Sequence, residues 1–227
     1  TDDKNGYSEI LYLLNTINFP ELSDRILIKK INTAVKIDFI LSKKIHKIKE
    51  EKFGHPTETE VSYTTYPNKA ILVAGTNIQE LKKVLDVTKD KDIDVYTHGD
   101  MIMAYTYPKF REYEHLKGQF GKGIENCLLD FATFPGAILI AKHSLENIEY
   151  LYRGRLFTTD NFVPQGVIRL KNDDYTPLIN SALSARGFKR GKERESIKIG
   201  FDETELNSKL KNVSENIQNY KNIIIIG

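Results

Sequence analysis

Two near-identical runs, Ala-Ile-Leu-Val-Ala at 70–74 and Ala-Ile-Leu-Ile-Ala at 137–141, constrain this fold more than any other feature of the chain. Each is five residues long, too short for an ordinary helix, and continuous rather than alternating in hydrophobicity. Such runs belong to strands buried on both faces, as in a parallel sheet sandwiched by helices. Residues 93–97, 156–158 and the four Ile of 223–226 read the same way. Between the runs the period changes: Ile78, Leu81, Val84 and Leu85 mark a helix after the first strand. Helical turns follow from Pro108 and over 123–134, residues 173–185 make a helix closed by Gly187, and Asp202 with Glu205 opens a last one through Tyr220. Strand alternating with helix predicts an α/β domain, a Rossmann-like and mainly parallel sheet with helices on both faces.

The chain before this domain is different. Residues 22–51 read as one long helix, with Leu27, Ile31, Val35 and Phe39 at four-residue spacing and Lys29, Lys30, Lys43, Lys44, Lys47 and Lys49 between apolar residues. The lysines are read as a solvated face. Gly54 and Pro56 stop the helix. The expected organisation is an N-terminal helical segment over 1–52, a linker over 53–68 and the α/β domain over 69–227.

Open α/β sheets bind ligands at the carboxyl ends of their strands. Thr76, His98, Asp100 and Ser144 fall there, each just after an expected strand. Three offer oxygen and His98 offers nitrogen, a donor set suited to a hard cation such as magnesium or manganese. The competing reading is that Thr76 and Asp100 cap the structure that follows. Other motifs are thinner. Gly118, Gly121 and Gly123 imitate a phosphate loop without its Lys-Ser/Thr. His143 and Ser144 are adjacent on an extended segment, so they point apart and make no catalytic pair. The run 186–192, basic with Phe188, reads as a solvated loop before a single-strand binder. Cys127, beside Leu128 and Phe131, reads as a small buried hydrophobe.

Several fragments in register carry a resemblance: Phe53-Gly54-His55-Pro56, Ile71-Leu72-Val73-Ala74-Gly75-Thr76, Thr97-His98-Gly99-Asp100-Met101, Tyr107-Pro108-Lys109, Phe134-Pro135-Gly136-Ala137 and Arg155-Leu156-Phe157-Thr158-Thr159. With Ile199-Gly200-Phe201 and the terminal Ile run, they resemble the hybrid-cluster protein (prismane, hydroxylamine reductase) family, a relative of nickel carbon monoxide dehydrogenases. The resemblance covers the chain from about Phe53 onward. It implies a Rossmann-like domain preceded by a helical one and followed by a third domain, which this chain does not reach. It also implies iron–sulfur clusters and the reduction of hydroxylamine. The departures fall on the ligands. Thr76 stands where the family has a ligating His, Asp100 where it has Glu, and Ser144 where it has Cys, while Cys127 falls on a position the family does not use. Such clusters are held mainly by several thiolates, and this sequence has one Cys.

The expected function is therefore a hydroxylamine-reductase-like homologue or fragment without its cluster ligands, a non-catalytic structural or interaction domain with no cofactor of its own. The alternatives are part of an iron–sulfur oxidoreductase completed by another chain or further sequence, and a small-ligand or hard-metal site in the old pocket. Composition narrows the partners. With 33 basic and 31 acidic residues the net charge is +2, which gives no case for nucleic acid. No stretch of eighteen apolar residues marks a membrane span. One free Cys and no signal-like start fit a reducing cytoplasm, and the start at Thr1 suggests a processed or excised segment. The Ile run at 223–226 predicts self-association or a partner chain covering the sheet.

Overall fold

The computed structural model describes residues 4–16, 22–141, 149–161 and 163–200, with 207, 208, 210, 211 and 213 beyond them. Two compact units result, Thr1–Gly54 and His55–Gly227.

The first unit is a pair of helices. α1 (Lys4–Thr16) packs on α2 (Asp24–Phe53), and the Lys30 ammonium sits 3.1 Å from the Tyr12 ring centroid. Gly54 ends α2 with φ 90, a left-handed turn in which its N–H bonds Glu50 O. Leu27, Ile31, Val35 and Phe39 are all exposed, and only Ile37 and Phe53 of α2 are buried. An apolar stripe is present at the spacing read from the sequence, but it faces outward.

The second unit opens with β1 (Thr59–Ser62) and continues through β2 (Lys69–Gly75), α3 (Ile78–Thr88) and β3 (Ile93–His98). Two 3-10 segments, Gly99–Thr106 and Pro108–Glu112, lead to β4 (Leu116–Gln119). Then come α4 (Cys127–Thr133), β5 (Ala137–Ala141), α5 (Tyr150–Arg153), β6 (Leu156–Thr158), β7 (Ile168–Arg169), α6 (Thr176–Ser184) and β8 (Ser196–Ile199). Six strands form one parallel sheet in the order β4-β3-β2-β5-β6-β7, with β1 and β8 paired antiparallel apart from it. From β2 the chain winds one way through β3 and β4, then returns to β5 and winds the other way. The fold is the expected Rossmann-like α/β sheet, with its topological switch between β2 and β5.

The central strands are buried on both faces, and alternate residues point into the core on each side. Ala70, Leu72 and Ala74 of β2 share a core with Ile138 and Ile140 of β5, Phe131 of α4, Phe134 and Tyr152 of α5. α3 and α6 lie together, joined where the Tyr175 hydroxyl donates to Glu80 Oε2 at 2.6 Å. Two glycines fit β2 closely against β5. A Cβ on Gly75 would stand 2.0 Å from Ala141 O, and one on Gly136 would stand 1.9 Å from Ala70 O. Arg155 seals the end of α4: its guanidinium donates to the carbonyls of Phe131 at 2.6 Å, Ala132 at 3.1 Å and Gly136 at 2.8 Å, and to that of Phe134.

Differences from the sequence reading have local causes. The helix expected over 173–185 starts at Thr176, because Asn172 and Asp173 are left-handed (φ 56 and 55) and Asp174 Oδ1 accepts the Thr176 N–H at 2.9 Å. β1, β4, β7 and β8 are strands that the hydrophobic pattern does not announce. Of the expected 202–220 helix, only 207, 208, 210, 211 and 213 are described, and they are helical. The strand expected at 223–226 lies outside the described residues.

Candidate functional site

The carboxyl ends of β3, β2 and β5 stand side by side. Ala74 is in register with His98, and Gly75 with Ala141. Thr76 follows directly, its N–H bonded to Ala141 O at 3.1 Å, so the chain leaving β2 is tied to the end of β5. The sheet thus brings Thr76, His98 and Asp100 to one edge. Thr76 and Asp100 are exposed there. Ser144 lies outside the described residues.

The N-cap position of α3 falls on Asn77 rather than Thr76. The Asn77 side chain accepts the Gln79 N–H at 3.2 Å. Asp100 sits in the first turn of the 3-10 segment Gly99–Thr106. That turn is anchored from below: the Thr97 hydroxyl donates to Gln119 Oε1, and Gln119 Nε2 donates to Gly99 O at 3.1 Å.

His98 is different in kind. It is the last residue of β3 rather than a residue beyond it, and it is fully buried. Its Nε2 lies 3.0 Å from Asp130 Oδ2, and its ring packs edge-on to Phe131 with centroids 5.0 Å apart. Asp130 Oδ2 also accepts the Lys122 N–H at 2.9 Å. Burial pushes the imidazole below its ordinary range, and the Asp130 carboxylate only partly opposes this. With Nε2 set against the Asp130 carboxylate oxygen, a neutral ring carries its proton on Nε2. Nδ1 is left as an acceptor without a hydrogen-bond partner among the described residues. His98 is thus already committed to the segment 122–130.

Asp130 and Gln119 were missed by sequence reasoning. A signal for Asp130 existed: Cys127, Phe131 and Phe134 make a core-facing helical stripe, and position 130 shares its face with 127 and 134. A carboxylate there requires a buried donor. Nothing local marks which one, since His98 lies 32 residues earlier.

The fit of an iron–sulfur cluster can be judged from the donors. The single thiol, Cys127, is packed in the apolar core with Phe131 and Tyr152 rather than at the strand ends, and burial pushes its pKa up to about 12. Among the described residues no three His, Cys, Asp or Glu side chains converge to hold a metal. A cluster held by several thiolates does not fit this set.

Comparisons with known proteins agree on a family. A profile of the Prismane/CO dehydrogenase family matches residues 14–224. A hydroxylamine reductase of Acidiphilium cryptum is 34% identical over 166 residues, 73% of this chain and 30% of the relative. Another, of Thermodesulfovibrio yellowstonii, is 37% identical over 150 residues, 66% of this chain and 28% of the relative. A third, of Solidesulfovibrio magneticus, is 36% identical over 149 residues, 66% of this chain and 28% of the relative. The chain thus spans under a third of the length of the curated relatives it matches. Among the described residues no helix is long and apolar enough to cross a membrane.

Proposed function

Because the chain belongs to the Prismane/CO dehydrogenase family, we propose that it is a hydroxylamine-reductase-like member whose strand-end site has lost the family's cluster ligands and serves a non-catalytic, structural or interaction role. The observation that carries this reading is the position of the one thiol. Cys127 is sequestered in the core, while the edge that would face a cluster offers the Thr76 hydroxyl and the Asp100 carboxylate. Hard oxygen donors bind thiophilic iron clusters poorly. Among the described residues of the edge, His98 is fully buried and its Nε2 is engaged with Asp130. We further propose that the chain works in the cytoplasm, as a single unbridged thiol suits a reducing compartment.

A second reading is favoured by one fact, that the chain spans 30% or less of the relatives' length. Residues elsewhere would then complete an oxidoreductase acting on hydroxylamine or a related nitrogen species, with this unit as one wall of its site. Iron and acid-labile sulfide measured on chain purified without oxygen, alone and after reconstitution with ferrous iron and sulfide, tests the proposal. It expects neither element in stoichiometric amount. Several irons per chain with a brown visible band would overturn it.

A further inference from the structure

The edge of the sheet opposite the strand-end site is strongly polarised. The amino ends of β4, β3 and β2 frame a recess of about 720 Å³ that carries six carboxylates against three lysines. Asp86, Asp90, Asp92, Glu112 and Glu114 are its exposed carboxylates, Asp86 being paired with Lys82 at 2.5 Å. Beside it, at the amino ends of β2 and β5, the loop after α6 carries Arg186, Lys189 and Arg190, and it continues beside residues 63–65 with Lys192 and Arg194 against Glu193 and Glu195, all of them exposed. A second recess of about 580 Å³ opens there, lined by Arg186, Lys189, Arg190 and the half-buried Phe188. None of the five cations forms an ion pair with a carboxylate among the described residues.

The loop is held rigidly next to the acidic recess. Phe188 N–H donates to Asn68 O at 2.8 Å and Gly187 N–H to Pro135 O at 3.1 Å. Phe188 packs on Tyr96 and Phe134 at 5.5 and 5.6 Å between centroids. Asn68 also lines the acidic recess and donates to Asp92 Oδ1 at 2.9 Å. One residue therefore marks the boundary between a patch of net charge −3 (six carboxylates, three lysines) and a loop of net charge +3 (five cations, two glutamates).

We propose that this edge is a self-complementary docking surface for a second copy of the chain. A two-fold axis passing near Asn68 places the basic loop of each copy on the acidic recess of the other, so both contacts form at once, as an isologous dimer requires. The chain's near-neutral total charge gives no long-range repulsion to oppose this, and complementary patches steer and register such encounters. The surface lies on the opposite edge of the sheet from Thr76 and Asp100, so it stands or falls independently of whether that site holds a cluster.

Sedimentation velocity on the full 227-residue chain tests it. At low salt a concentration-dependent dimer is expected, dissociating by about 0.5 M salt as the Debye length shrinks to a few ångströms. Lys189→Glu with Arg190→Glu, and separately Glu112→Lys with Glu114→Lys, should each weaken the dimer roughly tenfold or more. Combining all four substitutions in one chain should restore it, a rescue that misfolding could not produce. A monomer at low salt up to about 100 μM, where even weak specific pairs associate, would overturn the proposal. So would a dimer indifferent to salt and to these reversals but broken by Val35→Glu, which would assign association to the exposed stripe of α2.

Discussion

Asp130 carries more of the strand-end geometry than its position in the sequence suggests, since one of its oxygens holds both the His98 ring and the Lys122 backbone. Truncating it leaves a buried N–H donor without an acceptor, and charge-assisted bonds of this kind are worth about 1.5–3 kcal/mol. Asp130→Ala should therefore lower the urea unfolding free energy by about 2 kcal/mol or more. A loss within experimental error would show that His98 finds another partner. Cys127 makes the opposite kind of prediction. A thiol 9% exposed, with its pKa raised to about 12 by burial, is a poor nucleophile at neutral pH because the thiolate is the reactive form. Thiol reagents should label it at the rate of chain opening, slowly in native protein and fast in urea. Rapid stoichiometric labelling of the folded chain would contradict its burial. The residue types at the strand ends are legible in the sequence, because binding edges of α/β sheets follow from strand order. The burial of His98 is not, as it depends on a partner 32 residues away with no local signature.

At the scale of elements, the strongly apolar strands declare themselves and the short polar ones do not. β2 and β5 carry continuous five-residue apolar runs, whereas β4 reads Leu-Lys-Gly-Gln and β7 has two residues. β4 is a strand because β3 offers it an edge, in a register shifted between Val95 and Tyr96, and such tertiary pairing leaves little trace in composition. The stripe of α2 shows the converse. Its period is as expected, yet period says nothing about which surface will cover it. The start of β4 also carries a titratable joint. His115 Nε2 sits 3.1 Å from the Thr88 hydroxyl at the end of α3, and burial lowers the ring's pKa from 6.5. A base whose folded pKa is depressed binds more protons unfolded than folded. Its contribution is therefore fully present above 6.5 and is lost as pH falls below that value. Thermal melts should show declining stability from neutral pH into the acid range, with a shallower decline in His115→Gln. An unchanged slope in that variant would remove His115 from the account. Gly75 permits a harsher test. With φ 111 and no room beside Ala141 O, Gly75→Ala should destabilise the β2–β5 junction by several kcal/mol, as strain and overpacking add.

For the whole molecule, two units of unequal solidity share one chain. The α/β unit owns a core of fully buried aromatic and aliphatic side chains, while the helix pair buries few and exposes Leu11, Leu27, Ile31, Val35 and Phe39 among others. Helices with so little packing are marginal in water. We propose that the boundary at 53–68 separates them in stability as well as in composition. Heating should then reveal an early loss of helical signal followed by cooperative melting of the sheet, and a single coincident transition would argue against that division. Among the described residues, one thiol buried in the core, a buried histidine engaged with Asp130 and two exposed oxygen donors form a poor cradle for iron and sulfide. The most direct measurement is iron and acid-labile sulfide per chain, with a visible spectrum, after purification without oxygen. A colourless protein without stoichiometric iron is expected, whereas a brown protein with several irons per 227-residue chain would contradict the loss of the cluster site.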